Sequence, residues 1–279
     1  MRYKELYELG CLKLKAADIS DYKTDARLLL EAVMNTSYND LFVKPLMEVD
    51  SESEEKYNDY LALRAKHTPL QHITGKQGFM GLEFKVSSDV LVPRQDTENL
   101  VEEVLKDLHD GMHILDMCTG SGCILLSLLK YSNDCTGVGV DISEKALAIA
   151  KENAENLGIN SAEFIQSDLF ENVKGKFDIL VSNPPYIRTC EIENLMPEVR
   201  DHDPFIALNG HESGVYFYEK IIDKAGEFLK RGSLVAFEIG NDEGREVMSL
   251  MKNAGYKNVE VIKDYGGNDR VVKGYFAMD

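Results

Sequence analysis

Metal-ligand spacing is missing from this chain. Five cysteines are present, Cys11, Cys118, Cys123, Cys135 and Cys190, but no Cys-x-x-Cys pair and no cysteine–histidine ligand pattern joins them. The odd number and the missing spacing point to reduced, buried thiols in a cytoplasmic protein, with no metal. Long apolar runs are missing too. The longest, around CILLSLL, falls far short of the ~20 residues that span a bilayer. The opening MRYKELYELG carries no apolar stretch fit for a secretory leader, so no membrane association is expected. Positive charge is scarce: 31 Lys+Arg against 48 Asp+Glu leave a net charge of −17. A surface this acidic repels phosphate backbones, so no nucleic-acid partner is expected, whereas a protein with a basic face is steered toward it. No internal repeat and no low-complexity segment interrupts the chain, which is read as a monomer.

Hydrophobic residues make up 44% of the 279 residues, enough for one large domain or two unequal ones. Residues 1–70 read as helices. DARLLLEAVM puts Ala26, Leu29, Leu30 and Val33 on one face, and SEEKYNDYLALRAKHTP repeats Tyr57, Tyr60, Leu61 and Arg64 at helical spacing before Pro69. Residues 71–93 change character. GFMGLEFKVSSDVLVP alternates apolar and polar, with Gly78, Gly81 and SSD as punctuation, and reads as a β-hairpin linking two domains. RQDTENLVEEVLKDL then begins a helix that Asp96 or Thr97 would cap. From there to residue 279, apolar runs and amphipathic helices take turns, the pattern of a parallel, doubly wound α/β sheet. The last two runs, NVEVIKD and RVVKGYFA, lie close enough for an antiparallel edge hairpin.

ILDMCTGSGC follows the first of these strands. Gly120 and Gly122 allow a sharp turn and a close approach of backbone to ligand. Asp116 stands at the strand's carboxyl end, Asp141 at the end of the next strand, and Asp168 and Leu169 after the third. A carboxylate at Asp141 suits the vicinal hydroxyls of a ribose. The third glycine of a pyrophosphate loop is absent, as is a P-loop lysine. Thr119, Ser121 and their neighbours therefore suit a ligand without phosphates, such as S-adenosylmethionine, with Asp116 near its ammonium.

FDILVSNPPYI ends the fourth strand beside the same crevice. Pro184 and Pro185 fix φ, lack N–H groups, and hold Asn183 out of the helical region. The Asn183 side-chain oxygen and the Pro184 carbonyl are then two stiffened acceptors for a planar –NH₂ group, and Tyr186 is an aromatic wall for it. Such acceptors favour a positive charge developing on the nitrogen as it is methylated. A nucleic-acid adenine methyltransferase could use the same pair, but the net charge and the lack of any Lys/Arg cluster argue against it. A cofactor-binding docking protein without catalysis has no need of an intact NPPY and Asp141.

With these residues the chain resembles the release factor glutamine methyltransferases (the PrmC/HemK family). The segments PLQHITGKQGFMGLEFKVSSDVLVPRQDTE, ILDMCTGSGC, SNPPYI, DPFIALNGHESGVYFY and DYGGNDRVVKGYF carry the resemblance over most of its length. It implies a class I, Rossmann-like methyltransferase sheet over residues 94–279, a small all-helical N-terminal domain that contacts the release factor, and the hairpin linker between them. It also implies methylation of the glutamine amide in the Gly-Gly-Gln loop of release factors, with S-adenosylhomocysteine as product. Cofactor contacts are implied at Cys118 to Gly122, Asp141, Leu169 and Asn183, and glutamine binding at Asn183, Pro184, Pro185 and Tyr186. Three positions depart from the family pattern. Cys118 replaces a usual glycine, which requires a negative φ there. Leu169 stands where some members have an aromatic residue, and Gln95 replaces a common proline. Arg94 is read as a structural partner of Asp96 or Glu98, with a crevice carboxylate as the alternative. His202 and His211 are read as surface or packing residues, and Arg270 as the partner of an acidic neighbour.

Overall fold

The computed structural model describes residues 1–277. The chain forms two compact units: Met1–Lys76 with Met196–His202, and Gln77–Leu195 with the residues from Asp203 onward. The smaller unit is helical, with α1 (Tyr3–Ala16), α2 (Tyr22–Met34), α3 (Asp40–Val43), α4 (Ser51–Arg64) and α5 (Leu70–Thr74). Leu6 and Leu14 of α1, Ala26, Leu29 and Leu30 of α2, and Tyr57 and Leu61 of α4 meet in one apolar cluster. The spacing of three and four residues predicts this face; Val33 and Tyr60 pack at its margin. Asp50 caps α4 by accepting from the Ser53 N–H at 2.9 Å. Arg64, the last residue of that helix, is buried beside Asp25, with Nε 2.6 Å from Oδ2.

The larger unit opens with a two-stranded hairpin, β1 (Lys76–Phe79) and β2 (Leu82–Lys85). Its turn is Met80–Gly81, with φ of 50° and 72°. Two consecutive positive φ values match the turn whose twist suits a tight hairpin. The SSD segment turns as well, just beyond β2, with the Val90 N–H donating to Ser87 O at 3.2 Å. Phe79 and Phe84 are buried in the apolar core of this unit.

Next come α6 (Gln95–Leu105), β3 (His113–Met117), α7 (Cys123–Lys130), β4 (Thr136–Asp141), α8 (Glu144–Leu157), β5 (Ala162–Gln166) and β6 (Phe177–Ser182). After α9 (Pro197–Arg200), which belongs to the smaller unit, follow α10 (Phe205–Leu208), α11 (Tyr216–Ala225), β7 (Leu229–Glu238), α12 (Gly244–Asn253), β8 (Lys257–Lys263) and β9 (Asp269–Tyr275). The seven-stranded sheet has the order β5-β4-β3-β6-β7-β9-β8. Strands β3 to β7 run parallel, and β9 pairs antiparallel with both β7 and β8. Buried runs such as the ILVS of β6 fit strands covered on both faces.

Two boundaries differ from expectation. The helix read over GVYFYEKIIDKAGEFLK stops at Ala225, and β7 begins at Leu229. Gly232, at φ 82°, allows an irregularity there, and the register against β6 shifts accordingly. The cap of α6 is neither Asp96 nor Thr97 but Arg94, without a side-chain hydrogen bond.

Candidate active site

Register sets the site. Met117 pairs with Val140 on one side and Ser182 on the other, and Ser182 pairs with Phe237. The next residue on each strand falls in one row at the carboxyl edge: Cys118, Asp141, Asn183 and Glu238. The chain leaves β3 for β4 on one side and returns to β6 on the other. This is the switch point at which open α/β sheets bind ligands.

A cavity of about 510 Å³ opens at this edge. Of the residues singled out from the sequence, it is lined by Cys118, Thr119, Gly120 and Ser121 from the first loop, and by Asp141, Asp168 and Leu169 from the next two. Asn183 and Pro185 line it from the fourth. Asp116, Gly122, Pro184 and Tyr186 are not among its lining residues. Gly122, at φ 79°, has an inward-packed role: a Cβ there would lie 3.2 Å from Ala150 and Leu126. Gly120, at φ 54°, has nothing within 4 Å of its would-be Cβ, the open backbone that a closely approaching ligand needs.

Cys118 corrects an expectation. Its φ is +61°, not negative, and Leu169 also has a positive φ, at +46°. A left-handed residue with a side chain costs roughly 1–2 kcal/mol, so neighbouring contacts must impose it. The Thr119 N–H donates to Val140 O at 2.9 Å, and the Gly120 N–H to Asp141 Oδ2 at 2.9 Å. Together they pin the loop straight after Cys118 to the next strand. Burial, with the Asp141 and Asp116 carboxylates nearby, pushes the Cys118 thiol up and keeps it protonated.

Asp141 is held by the backbone: Oδ1 accepts from Ser143 N and Oδ2 from Gly120 N, both at 2.9 Å. A carboxylate oxygen has two acceptor sites, so each oxygen keeps one for a ligand hydroxyl. Asp116 is fully buried, and its Oδ2 accepts from the Thr119 hydroxyl at 2.6 Å. It buttresses the loop rather than facing the cavity. Asp168 is exposed at the cavity's rim.

The fourth loop holds Asn183 half-buried, with Nδ2 donating to the Thr97 hydroxyl at 3.3 Å. Its Oδ1 is thereby left without that partner. Among the described residues no backbone N–H donates to the Pro184 carbonyl. Tyr186 donates to Glu238 Oε1 at 3.4 Å, and burial raises its phenol well above the ordinary range.

Sequence reasoning missed several cavity residues. Thr97 was read as a cap but is 2% exposed and lies at the site, 86 residues from its partner Asn183. Ile142 and Ser143 were foreseeable, because they directly follow Asp141. Phe205 and Ile206 of α10, both exposed, line the mouth. His211 also lines it, at φ 64°, with its ring 4.3 Å from that of Tyr216. Arg94 pairs with the buried carboxylate of Asp203, not with Asp96 or Glu98. Arg270 pairs with Asp264 at 3.2 Å and Asp96 at 3.1 Å.

Three buried carboxyls, Asp116, Glu238 and Glu243, are pushed up to about 7, burial being the largest cause. In the unfolded chain they ionise near 3.8 and 4.5. Between those values the folded protein binds more protons than the unfolded one. Their stabilising contribution is complete below the unfolded values and is lost as pH rises through about 7. Urea midpoints are therefore expected to fall between about pH 5 and about pH 7 and to level off above that. A midpoint that holds or rises over that interval would contradict the burial of these groups as acids.

The site fits S-adenosylmethionine. Asp141 offers oriented acceptors, Gly120 an open backbone, and Arg94, which lines the cavity, is engaged by Asp203.

Residues 94–198 match the family described as the methyltransferase small domain, and residues 5–75 the PrmC N-terminal domain. The chain is 42% identical over 278 residues to the release factor glutamine methyltransferase of Clostridium acetobutylicum, covering 98% of each. It is 41% identical to the protein of that name from Agrobacterium fabrum, over 93% of this chain and 92% of the other. Among solved structures, a methyltransferase from Pyrococcus furiosus superposes with a TM-score of 0.54 at 18% identity, over 82% of this chain and all of that one (100%). The Thermus thermophilus 16S rRNA N2 G1207 methyltransferase, solved with AdoMet and guanosine, superposes at 0.52 and 16% identity, over 72% of this chain and 49% of that one. At these identities the structural likeness establishes the shared Rossmann-like methyltransferase fold.

Proposed function

Since the chain belongs to the release factor glutamine methyltransferases, we propose that its edge row of Asp141, Cys118 and Asn183 methylates the glutamine amide of the Gly-Gly-Gln loop in peptide chain release factors. The observation that carries this reading is Asn183. It lines the same cavity as Asp141, and its –NH₂ is committed to Thr97, which leaves its oxygen to accept.

When bound, S-adenosylmethionine supplies an electrophilic methyl group on a sulfonium. The chain's own residues do the rest. Asp141 would hold the ribose hydroxyls, the backbone of Cys118 to Gly122 the amino-acid part, and Leu169 and Asp168 the base. Asn183 Oδ1 and the Pro184 carbonyl take the two hydrogens of the glutamine amide, with Pro185 stiffening the corner and Tyr186 backing it. An amide nitrogen is a weak nucleophile because its lone pair is delocalised. Two fixed acceptors strengthen as positive charge develops on it, more in the transition state than before it. Holding nitrogen and methyl donor in one cavity supplies the rest by proximity. No strong base is needed at the moment of transfer, because the proton leaves to water afterwards.

Residues 1–70 dock the release factor in this reading, and residues 71–93, which include the β1–β2 hairpin, join them to the methyltransferase domain. Among the described residues no helix is long and apolar enough to cross a membrane. The protein acts in the cytoplasm, as a monomer, on a protein substrate, and the net charge of −17 disfavours nucleic acid. The test is incubation with labelled S-adenosylmethionine and a purified release factor, followed by mass spectrometry of the Gly-Gly-Gln peptide. One added methyl on the glutamine is expected; label on any other residue, or none, would overturn the reading.

A further inference from the structure

We propose that Glu238 is a positioning residue for methyl transfer: acting through Thr97, it holds the Asn183 amide with its oxygen facing the crevice. The proposal rests on the reading of Asn183 as an amide acceptor and adds what keeps it one.

Glu238 ends β7, one residue past the Ser182–Phe237 pair, and so stands beside Asn183. It is 2% exposed, and its Oε2 is buried without a hydrogen-bond partner among the described residues. Such a carboxylate costs stability, and a leucine of similar volume would not carry that cost. Its surroundings show what it organises. Thr97, on α6, faces the carboxylate closely enough to lower its pKa, and Tyr186 donates to Oε1 at 3.4 Å. The other charged or titratable groups that face it are Asp96 on α6, Arg270 on β9 and the buried Cys123 thiol of α7; the Tyr218 hydroxyl of α11 donates to its backbone carbonyl at 2.8 Å.

A threonine hydroxyl has one proton and two lone pairs. An ionised Glu238 can only accept, and its Oε2 is unpartnered, so the hydroxyl of the neighbouring Thr97 turns its proton toward it as the carboxyl ionises. Thr97 is then left with lone pairs for Asn183, and only the Nδ2 side of the amide can meet them, at the observed 3.3 Å. The oxygen must point the other way. If Glu238 is protonated it can donate to Thr97. The hydroxyl is then free to donate to Asn183 Oδ1, and the amide can turn its –NH₂ toward the substrate, where two donors would face each other. Burial raises Glu238 to about 7, while Thr97 and Arg270 hold it down. The ionised, aligned form thus grows as pH rises through about 7.

The full-length protein is assayed on a purified release factor, with kcat, KM and the pH profile of kcat measured, and cofactor affinity read by calorimetry. Glu238→Gln is expected to lower kcat about 10- to 100-fold, the scale of a misplaced reacting group. Cofactor affinity should stay within about twofold, and the acidic limb near pH 7 should disappear. Thr97→Val is expected to lose kcat similarly, and Thr97→Ser, which keeps the hydroxyl, to restore most of it. A Glu238→Gln enzyme with the kcat and pH profile of the parent would overturn the proposal. So would a Thr97→Ser enzyme as impaired as Thr97→Val. Asn183→Ala, run alongside, separates the two readings. If it stays active, Asn183 is not the acceptor; if it is inactive while Glu238→Gln behaves as the parent, only the positioning role fails.

Discussion

Replacing Asn183 with alanine is expected to lower kcat for release-factor methylation by about 10²- to 10³-fold, the cost of removing one preorganised partner of a developing charge. The loss should fall on kcat more than on KM, because the interaction strengthens as the nitrogen becomes cationic. Fold stability should change little. Asn183 is half-buried just past β6, whose pairing with β3 and β7 ends at Ser182. Circular dichroism melts of the variant separate the two effects. Asn183→Asp is the sharper probe. It keeps an acceptor of the same shape but cannot donate to Thr97, and it sets a second carboxylate near Glu238. Its activity is expected to lie well below the parent at neutral pH. An Asn183→Ala enzyme with the parent kcat would mean the amide is held elsewhere.

Replacing Asp141 with alanine is the second large effect, and it falls on binding. Each charge-assisted hydrogen bond to a ribose hydroxyl contributes about 1.5–3 kcal/mol, so losing two should raise the cofactor dissociation constant by at least about 100-fold. The structure enlarges this expectation. The same carboxylate also accepts from Gly120 N and Ser143 N, so alanine orphans two backbone donors and loosens the loop it should present. Asp141→Asn, which keeps the shape and part of the acceptance, is expected to fall between. Calorimetry with S-adenosylhomocysteine reads all three proteins, and equal affinity for parent and alanine variant would remove Asp141 from the ribose.

The parts of the site legible in the sequence were those set by local rules. Strand-end positions follow from apolar runs, so the sequence alone sets Asp141, Asp168 and Asn183 at strand ends. Gly120 and Gly122 announced a turn. Backbone conformation at Cys118 was misjudged because its left-handed φ is imposed by the pinning of Thr119 and Gly120 to β4, a contact across strands rather than a residue preference. Asp116 looked like a ligand from its place at a strand end, yet the pleat turns it into the interior toward Thr119. Thr97 carried a plausible local role as a cap, which hid its distant one. Tyr186 and Glu238 lie 52 residues apart, and no periodicity links them. Gly81 marked one half of the hairpin turn, but a Met at positive φ is not a sequence signal; the Glu98 and Tyr131 side chains hold the two backbone groups of Met80 there.

The order in which the sheet is assembled has a consequence during biosynthesis. β8 leaves the ribosome before β9, yet β9 is the strand that sits against β7. Until β9 emerges, β7 has an open edge and β8 has no partner, so the last strand threads between two that are already made. The half-sheet of β5, β4 and β3 needs none of this to take shape around the cofactor loop. The half bearing Glu238 receives Arg270 only with the insertion of β9, so the acceptor corner is completed after the cofactor half.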